Sequence, residues 1–182
     1  IGLHTGKKST LKILPGVANQ GIVFKRIDLE KNNQIFANYD NVSSAKLCTT
    51  LENKFGTKVS TVEHLIAAFY IAGVDNAIVE IDNEEVPIMD GSAAIFINEI
   101  KKQNLKELEK KRKYLRILDK VELMDGERKI SIEKGNSSLE VQFELDYKNK
   151  IIGKQKNKIN FQNNELDEVI NSRTFCLYED IE

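Results

Sequence analysis

Residues 60–82 read STVEHLIAAFYIAGVDNAIVEID, and this stretch decides the fold expected around it. Ser60 and Glu63 match a capping box, in which a serine hydroxyl and a glutamate carboxylate satisfy backbone N–H groups at a helix start. The apolar face of the predicted helix consists of Val62, Leu65, Ile66 and Phe69. Gly73 is suited to a left-handed C-cap. Residues 77–82 are short and β-branched, which predicts a strand directly after the helix.

Short β-type stretches separated by turns precede this helix. Residues 9–14 and 21–29 carry alternating apolar residues on either side of Pro15-Gly16, which predicts two strands paired antiparallel with each other. Residues 47–51, rich in small and β-branched side chains, predict another strand before a turn at Gly56.

A second helix and a charged linker are predicted after the strand at 77–82. The helix begins near Ser92, and Asp90 and Ser92 are expected to cap it and to order its loop. Its apolar face consists of Ala93, Phe96, Ile97 and Ile100. Residues 101–113 are dense in charge, which favours a solvated helix end and linker. A basic nucleic-acid arm is the weaker alternative, because acidic residues interleave and no aromatic occurs before Tyr114.

The pattern beyond the linker changes to a period of two, which predicts half-buried antiparallel strands. The apolar positions are Val121, Leu123, Ile130, Ile132, Leu139, Val141, Phe143, Leu145 and Tyr147. Asp125-Gly126 and Gly135-Asn136 predict the turns of a meander. Residues 157–164 are polar and leave the type of element open, whereas residues 166–170 predict a helix.

Strands followed by helices thus occur twice, which predicts an α+β fold. We expect a first domain over residues 1–112 and the start of a second, unfinished domain over residues 113–182. The chain opens at Ile1 without a methionine and closes at Glu182 without tail-like composition, so we expect a fragment cut at both ends.

Composition limits the classes of partner and compartment. The 182 residues include 27 basic and 28 acidic side chains, so no overall field attracts nucleic acid or an anionic membrane. Cys48 and Cys176 are too few for a disulfide framework, which favours a reducing, cytoplasmic compartment. The longest uncharged apolar run, residues 65–74, is far shorter than the roughly 20 residues that span a bilayer. No transmembrane segment is expected.

Few residues carry recognisable chemistry. The histidines are His4 and His64, and common zinc-protease, phosphate-loop and serine-hydrolase motifs are absent from the sequence. Glu63 and His64 place a carboxylate beside an imidazole in the first turn of the predicted helix. On these residues alone, a structural histidine is the more common alternative. A catalytic metal would need ligands besides His64.

Five motifs nevertheless occur in an order that resembles a known family. They are residues 1–8 (IGLHTGKK), 47–49 (LCT), 60–65 (STVEHL), 88–93 (IMDGSA) and 172–175 (SRTF). Together they resemble the UDP-3-O-acyl-N-acetylglucosamine deacetylases, the zinc hydrolases of bacterial lipid A synthesis. The resemblance covers the whole chain and somewhat more than half of a typical member. It implies two similar domains, each a small sheet with two helices, with the active site between them.

The resemblance also implies roles for individual residues. His64 corresponds to the first zinc (Zn²⁺) ligand, Glu63 to the general base and Thr174 to the hydroxyl that stabilises the oxyanion. Substrate contacts are implied for Leu3, His4, Cys48 and Phe175. From the residues themselves, His4 is equally well explained by packing in its turn. A small buried side chain on a strand is the commoner explanation for Cys48.

Several departures accompany the resemblance. The other zinc ligands and the general acid are expected beyond Glu182, so this polypeptide is not expected to turn over substrate. Asn149-Lys150 replaces a pair that is His-Pro in many relatives, and Cys176 replaces a glycine. The expected partner is the UDP-linked acyl amino sugar, with no nucleic acid and an oligomeric state that the sequence leaves open. The alternative is a metal-free module of the same fold that binds a nucleotide sugar or a protein.

Overall fold

The computed structural model describes residues 1–135, 138–161 and 166–176. Small, mostly antiparallel sheets and short helices confirm the predicted α+β class. The helices are α1 (Glu63–Ala72), α2 (Ala94–Lys101) and α3 (Asp167–Asn171). The strands are β1 (Leu11–Pro15), β2 (Ile22–Arg26), β3 (Gln34–Phe36), β4 (Val42–Ser44), β5 (Thr50–Glu52), β6 (Lys58–Val59), β7 (Ala77–Ile81), β8 (Val121–Asp125), β9 (Arg128–Ile132), β10 (Glu140–Asp146) and β11 (Lys154–Asn160). Within the described ranges, none of the helices has the length and apolar character needed to cross a membrane.

The chain divides into two compact units. One comprises Ile1–Arg112 together with Ile170–Glu182, and the other comprises Lys113–Val169. The described segment that carries Thr174 therefore belongs to the same unit as Glu63 and His64.

The first sheet has the strand order β1-β7-β2-β3. Val79 of β7 lies opposite Ile13 of antiparallel β1 and opposite Phe24 of parallel β2. The prediction that the first two strands pair with each other is therefore wrong. The physical reason is connectivity, because α1 provides a crossover that allows β7 to run parallel to β2 and to lie between the two earlier strands.

The second sheet has the order β4-β5-β6, and its strand β5 is shorter than the sequence indicated. The strand predicted at 47–51 begins at Thr50, because Leu47 has a left-handed φ of 64° that interrupts extended backbone. The predicted turn at Gly56 is confirmed: its φ is 84°, and its N–H donates to the carbonyl oxygen of Asn53 at 3.0 Å.

The helix α1 lies where it was predicted, but the capping box of Ser60 and Glu63 is wrong. The N-cap residue is Val62, whose side chain makes no capping hydrogen bond. The hydroxyl and the N–H of Ser60 both donate to the carbonyl oxygen of Glu84, at 3.2 and 2.9 Å. The segment after β7 thus uses the polar groups of Ser60, which cannot also cap the helix.

One hydrophobic core joins the two helices and the two sheets of the first unit. Its fully buried members are Phe24, Ile35, Val59, Leu65, Ala68, Val79 and Ile81. Burying a side chain such as Leu65 contributes roughly 1.5–3 kcal/mol, so this core anchors α1 and holds its first turn in place. The predicted end of α1 is also confirmed, because Gly73 has a φ of 77° and its N–H donates to the carbonyl oxygen of Tyr70 at 3.2 Å.

The second unit contains two antiparallel ribbons, β8-β9 and β10-β11. The turn at Asp125-Gly126 is confirmed, but the predicted meander is wrong, because β9 and β10 do not pair within the described residues. Half-burial of these strands is also wrong for the first ribbon, where Leu123 is 67% and Ile130 is 70% exposed. A two-stranded ribbon has no second layer to cover its apolar face. Residue Asn136 of the second predicted turn lies outside the described residues.

The first half of the polar stretch that the sequence left open, residues 157–160, belongs to strand β11. Lys156 and Lys158 form ion pairs across the ribbon with Glu144 and Glu140. Opposite charges on facing strands favour pairing, which explains how so polar a segment forms a strand. Residues 162–164 of that stretch lie outside the described residues.

Candidate active site

Glu63 and His64 occupy the first turn of α1. The segment before β5 orients the Glu63 carboxylate, whose Oε2 accepts a hydrogen bond from the N–H of Thr49 at 3.2 Å. Cys48 precedes Thr49 and is partly buried, with Sγ 4.0 Å from the hydroxyl oxygen of Thr50. The structure therefore brings the segment of Cys48 next to Glu63. The positive end of the helix dipole also favours a carboxylate here.

His64 offers one nitrogen ligand and does not make a metal site by itself. Its imidazole is partly buried beside Glu63. Across residues 1–135, 138–161 and 166–176, no three His, Cys, Asp or Glu side chains are grouped so that they could hold a metal ion. A catalytic zinc commonly takes three protein ligands. The described residues thus fit a single ligand of such a site.

Leu3 and His4 lie on the loop of residues 1–8 that precedes β1, and both side chains are exposed. The loop is fixed through its backbone, because the N–H groups of His4 and Thr5 donate to the Glu85 carboxylate at 2.9 and 2.8 Å. The backbone of His4, rather than its ring, thus makes the contact that holds this turn. The exposed side chains of Leu3 and His4 are available to a ligand.

Thr174 is held against the turn that precedes α2. Its N–H donates to the carbonyl oxygen of Gly91 at 2.9 Å, and neighbouring Arg173 pairs with Asp90 at 3.6 Å. Gly91 has a φ of 86°, a conformation that favours glycine. The side chains of Thr174 and Phe175 are exposed. A hydroxyl in this position can donate a hydrogen bond to a ligand.

Asp90 and Ser92 order the turn that receives Thr174. Oδ1 of Asp90 accepts hydrogen bonds from the Ser92 hydroxyl at 2.8 Å and the Ser92 N–H at 3.1 Å. The Ser92 hydroxyl oxygen in turn accepts from the N–H of Ala94, the first residue of α2, at 3.1 Å. The bond from the Ser92 hydroxyl is the main cause that lowers the pKa of Asp90 below its usual value, with the positive charge of Arg173 a smaller cause. The expectation that these two residues order the loop is confirmed, but neither is the N-cap residue of α2, which is Ala93 and makes no side-chain capping hydrogen bond.

The full length of the chain matches one protein family. A model of the LpxC family, described as UDP-3-O-acyl N-acetylglycosamine deacetylase, matches residues 1–182. The chain belongs to the LpxC family.

Curated relatives agree with this membership. Proteins named UDP-3-O-acyl-N-acetylglucosamine deacetylase from Pseudoalteromonas translucida and Geotalea uraniireducens are 38% and 40% identical to the chain over 185 and 183 residues. A protein of the same name from Nautilia profundicola is 38% identical over 183 residues. Each comparison covers 100% of this chain and 59–61% of the relative, so the chain spans about 60% of the length of these LpxC proteins.

In this LpxC-family chain, the predicted site residues can be grouped by the segment that holds them. Glu63, His64 and Cys48 belong to the group at the start of α1, and Thr174 with Phe175 belongs to the group at the Gly91 turn. Among the described residues, no hydrogen bond or ion pair joins Thr174 to Glu63 or His64. Their catalytic and metal-binding roles stay predictions.

Two residues next to the site were not singled out from the sequence. Glu85 is buried and holds the loop of residues 1–8, and Thr61 precedes α1 with its hydroxyl on the same carboxylate. The available signal was the acidic pair Glu84-Glu85, which lies three residues after the end of β7 and directly before Val86-Pro87. That signal does not say which acid turns inward, because the answer depends on donors far away in the chain.

Proposed function

We propose that the intact protein is a zinc-dependent amide hydrolase that removes acetate from UDP-3-O-acyl-N-acetylglucosamine in lipid A synthesis. Membership of the LpxC family over the whole chain supports this proposal, since the relatives carry the name of that deacetylase. The observation that carries it is the pair Glu63 and His64 at the start of α1, with the carboxylate oriented by the N–H of Thr49.

Glu63 is the proposed general base. Its Oε2 is held by the N–H of Thr49, which leaves Oε1 to accept a proton from the attacking water. General-base catalysis typically contributes about 10²- to 10⁴-fold in rate, and it requires the base to lie within hydrogen-bonding reach of the proton. A carboxylate held at one oxygen has a restricted orientation, which suits this task.

His64 is the proposed ligand that this chain supplies to zinc. The core holds the helix turn that bears it, because the next residue, Leu65, is fully buried. The other ligands would come from the part of the LpxC proteins that this chain does not span. When bound, zinc lowers the pKa of a coordinated water to about 7 and polarises a carbonyl group.

Thr174 is the proposed hydrogen-bond donor to the carbonyl oxygen of the acetamide as that oxygen gains negative charge. Its backbone is fixed on Gly91 and its side chain is exposed, so the hydroxyl is held in place without being covered. Loss of one such donor costs on the order of 10²-fold in rate. The residues proposed to contact the rest of the substrate are Leu3, His4, Cys48 and Phe175.

The test uses the full-length protein and three single variants. Glu63→Ala is expected to lower turnover of UDP-3-O-acyl-N-acetylglucosamine by about 10²-fold or more while zinc stays bound, because it removes the base and keeps His64. His64→Ala is expected to lower the zinc content. Glu30→Ala is the matched control, since it removes an exposed carboxylate from a loop. Acetate release and metal analysis are measured on the same samples.

Unchanged turnover in Glu63→Ala would show that this carboxylate is not the base. A zinc content in His64→Ala equal to that of wild type would remove His64 from the ligand set. A full-length protein that binds the nucleotide sugar without zinc and without releasing acetate would instead support the metal-free binding module.

A further inference from the structure

The carboxylate of Glu85 is buried where the loop of residues 1–8 meets the start of α1. Its side chain is 1% exposed. Oε1 accepts hydrogen bonds from the N–H of His4 and from the Thr61 hydroxyl, both at 2.9 Å, and Oε2 accepts from the N–H of Thr5 at 2.8 Å. One carboxylate therefore ties two segments that are distant in sequence.

The groups around the Glu85 carboxylate favour its ionised form and leave it little room to move. Burial alone would raise the pKa of Glu85, but the N–H groups of His4 and Thr5 and the hydroxyls of Thr5 and Thr61 hold that pKa below its usual value. An ionised carboxylate is an acceptor at both oxygens, which matches a pocket lined by donors. On the side of Gly2, an added Cβ would lie 2.2 Å from Oε2, so the chain closes tightly around the group.

Thr61 links this carboxylate to the catalytic turn. Its φ of 56° is left-handed, which is rare for a β-branched residue and persists where the surroundings impose it. Thr61 is 2% exposed, and its hydroxyl donates to Glu85. Because α1 begins two residues later at Glu63, the backbone at Thr61 sets the direction in which the helix leaves β6.

We propose that Glu85 is a positioning residue of this deacetylase. Through Thr61 it fixes the turn that carries Glu63 and His64, and through backbone amides it holds the loop of residues 1–8 to the same point. The inference rests on the proposed function and adds a residue that touches neither substrate nor metal. Small displacements of catalytic groups matter because a 1 Å misplacement can cost about 10²-fold in rate.

The experiment compares four variants of the full-length protein. Glu85→Gln keeps the size and replaces one acceptor oxygen by a donor NH₂, and Thr61→Val keeps the shape and removes the hydroxyl. Thr61→Ser restores the hydroxyl. Ile35→Val is the control, because it trims the buried core at β3 without touching Glu85. For each, kcat, KM, the melting temperature and hydrogen exchange of residues 2–8 and 61–66 are measured, with kinetics well below the melting temperature.

Glu85→Gln and Thr61→Val are expected to lower kcat by about 10- to 100-fold in the folded state. Thr61→Ser is expected to recover most of the turnover lost in Thr61→Val. Exchange is expected to rise in both peptides of Glu85→Gln, whereas Ile35→Val lowers the melting temperature and changes neither the exchange of these peptides nor kcat.

The proposal is overturned if Thr61→Val and a folded Glu85→Gln keep the wild-type kcat. If Glu85→Gln does not fold, the Thr61 pair decides alone, and equal kcat values for Thr61→Val and Thr61→Ser overturn the proposal. A wild-type protein that releases no acetate would refute the proposed function. Even if the wild type releases no acetate, a rise of hydrogen exchange in both residues 2–8 and residues 61–66 of Glu85→Gln would support the linkage through Glu85. Unchanged exchange in these two peptides would overturn that linkage.

Discussion

Replacing Gly2 by alanine is expected to destabilise the protein by about 2.5–6 kcal/mol. The added Cβ would lie 2.2 Å from Oε2 of Glu85 and 2.5 Å from the hydroxyl oxygen of Thr5, far inside contact distance. Such overpacking typically costs about 1–3 kcal/mol. Because the carboxylate must move, the bond from the N–H of Thr5 is also weakened, and a hydrogen bond to a charged group contributes about 1.5–3 kcal/mol.

The measurement is urea unfolding followed by circular dichroism, with Gly6→Ala as the control. Gly6 lies in the same loop and an added Cβ there meets no atom within 4 Å, so the control isolates the cost of a left-handed φ of 64°. That cost is about 1–2 kcal/mol. Since the φ of Gly2 lies outside the left-handed region, its substitution isolates the steric clash. If Gly2→Ala destabilises no more than Gly6→Ala, the closure of the loop around Glu85 is refuted.

Two further predictions concern stability. The folded-state pKa of Glu85 is lowered, so its contribution to the free energy of unfolding is present above the unfolded value of about 4.3 and is lost as the pH falls through the folded-state pKa. The difference in unfolding free energy between wild type and Glu85→Gln should therefore shrink from pH 7 toward acid. A difference that stays constant with pH would contradict the ionised state of Glu85. Leu65→Ala should cost about 2–5 kcal/mol because Leu65 is 0% exposed, whereas Val17→Ala, at a residue 71% exposed, should stay within about 0.5 kcal/mol; equal unfolding midpoints would contradict the core assignment.

The helix and the strand nearest the site could be predicted from local pattern. The apolar spacing in residues 62–69 and the glycine at position 73 are properties of the segment itself, and α1 begins and ends close to where they indicate. The β-branched run at 77–82 similarly becomes β7 with one residue fewer. Local signals of this kind survive folding because the core buries the same faces that the pattern marks.

Strand partners and the helix cap could not be predicted in this way. Ser60 matches a capping box in sequence, yet its hydroxyl bonds to the carbonyl oxygen of Glu84, which approaches after β7 has been added. The pairing of β1 and β2 changes for the same reason, since β7 lies between them. In both cases a segment distant in sequence competes for the local partner and replaces it.

The residues of the candidate site also differ in whether local sequence or contacts between distant segments reveal them. Glu63 and His64 could be selected from the sequence because their side chains have rare chemistry and lie next to each other. Glu85 could not, because its importance arises from donors at residues 4, 5 and 61 that meet only in the folded chain.

The start of α1 shows why contacts between distant segments matter for the proposed function. The side chain of its N-cap residue, Val62, makes no capping hydrogen bond, and the residue before it, Thr61, has an unfavourable backbone conformation. Local forces therefore do not favour a helix start at this point. The Glu85 carboxylate and the buried Leu65 supply the missing stabilisation from either side of Glu63 and His64. The placement of Glu63 and His64, the proposed general base and zinc ligand, is thus a tertiary property, and substitutions at Glu85 should affect it without altering either residue.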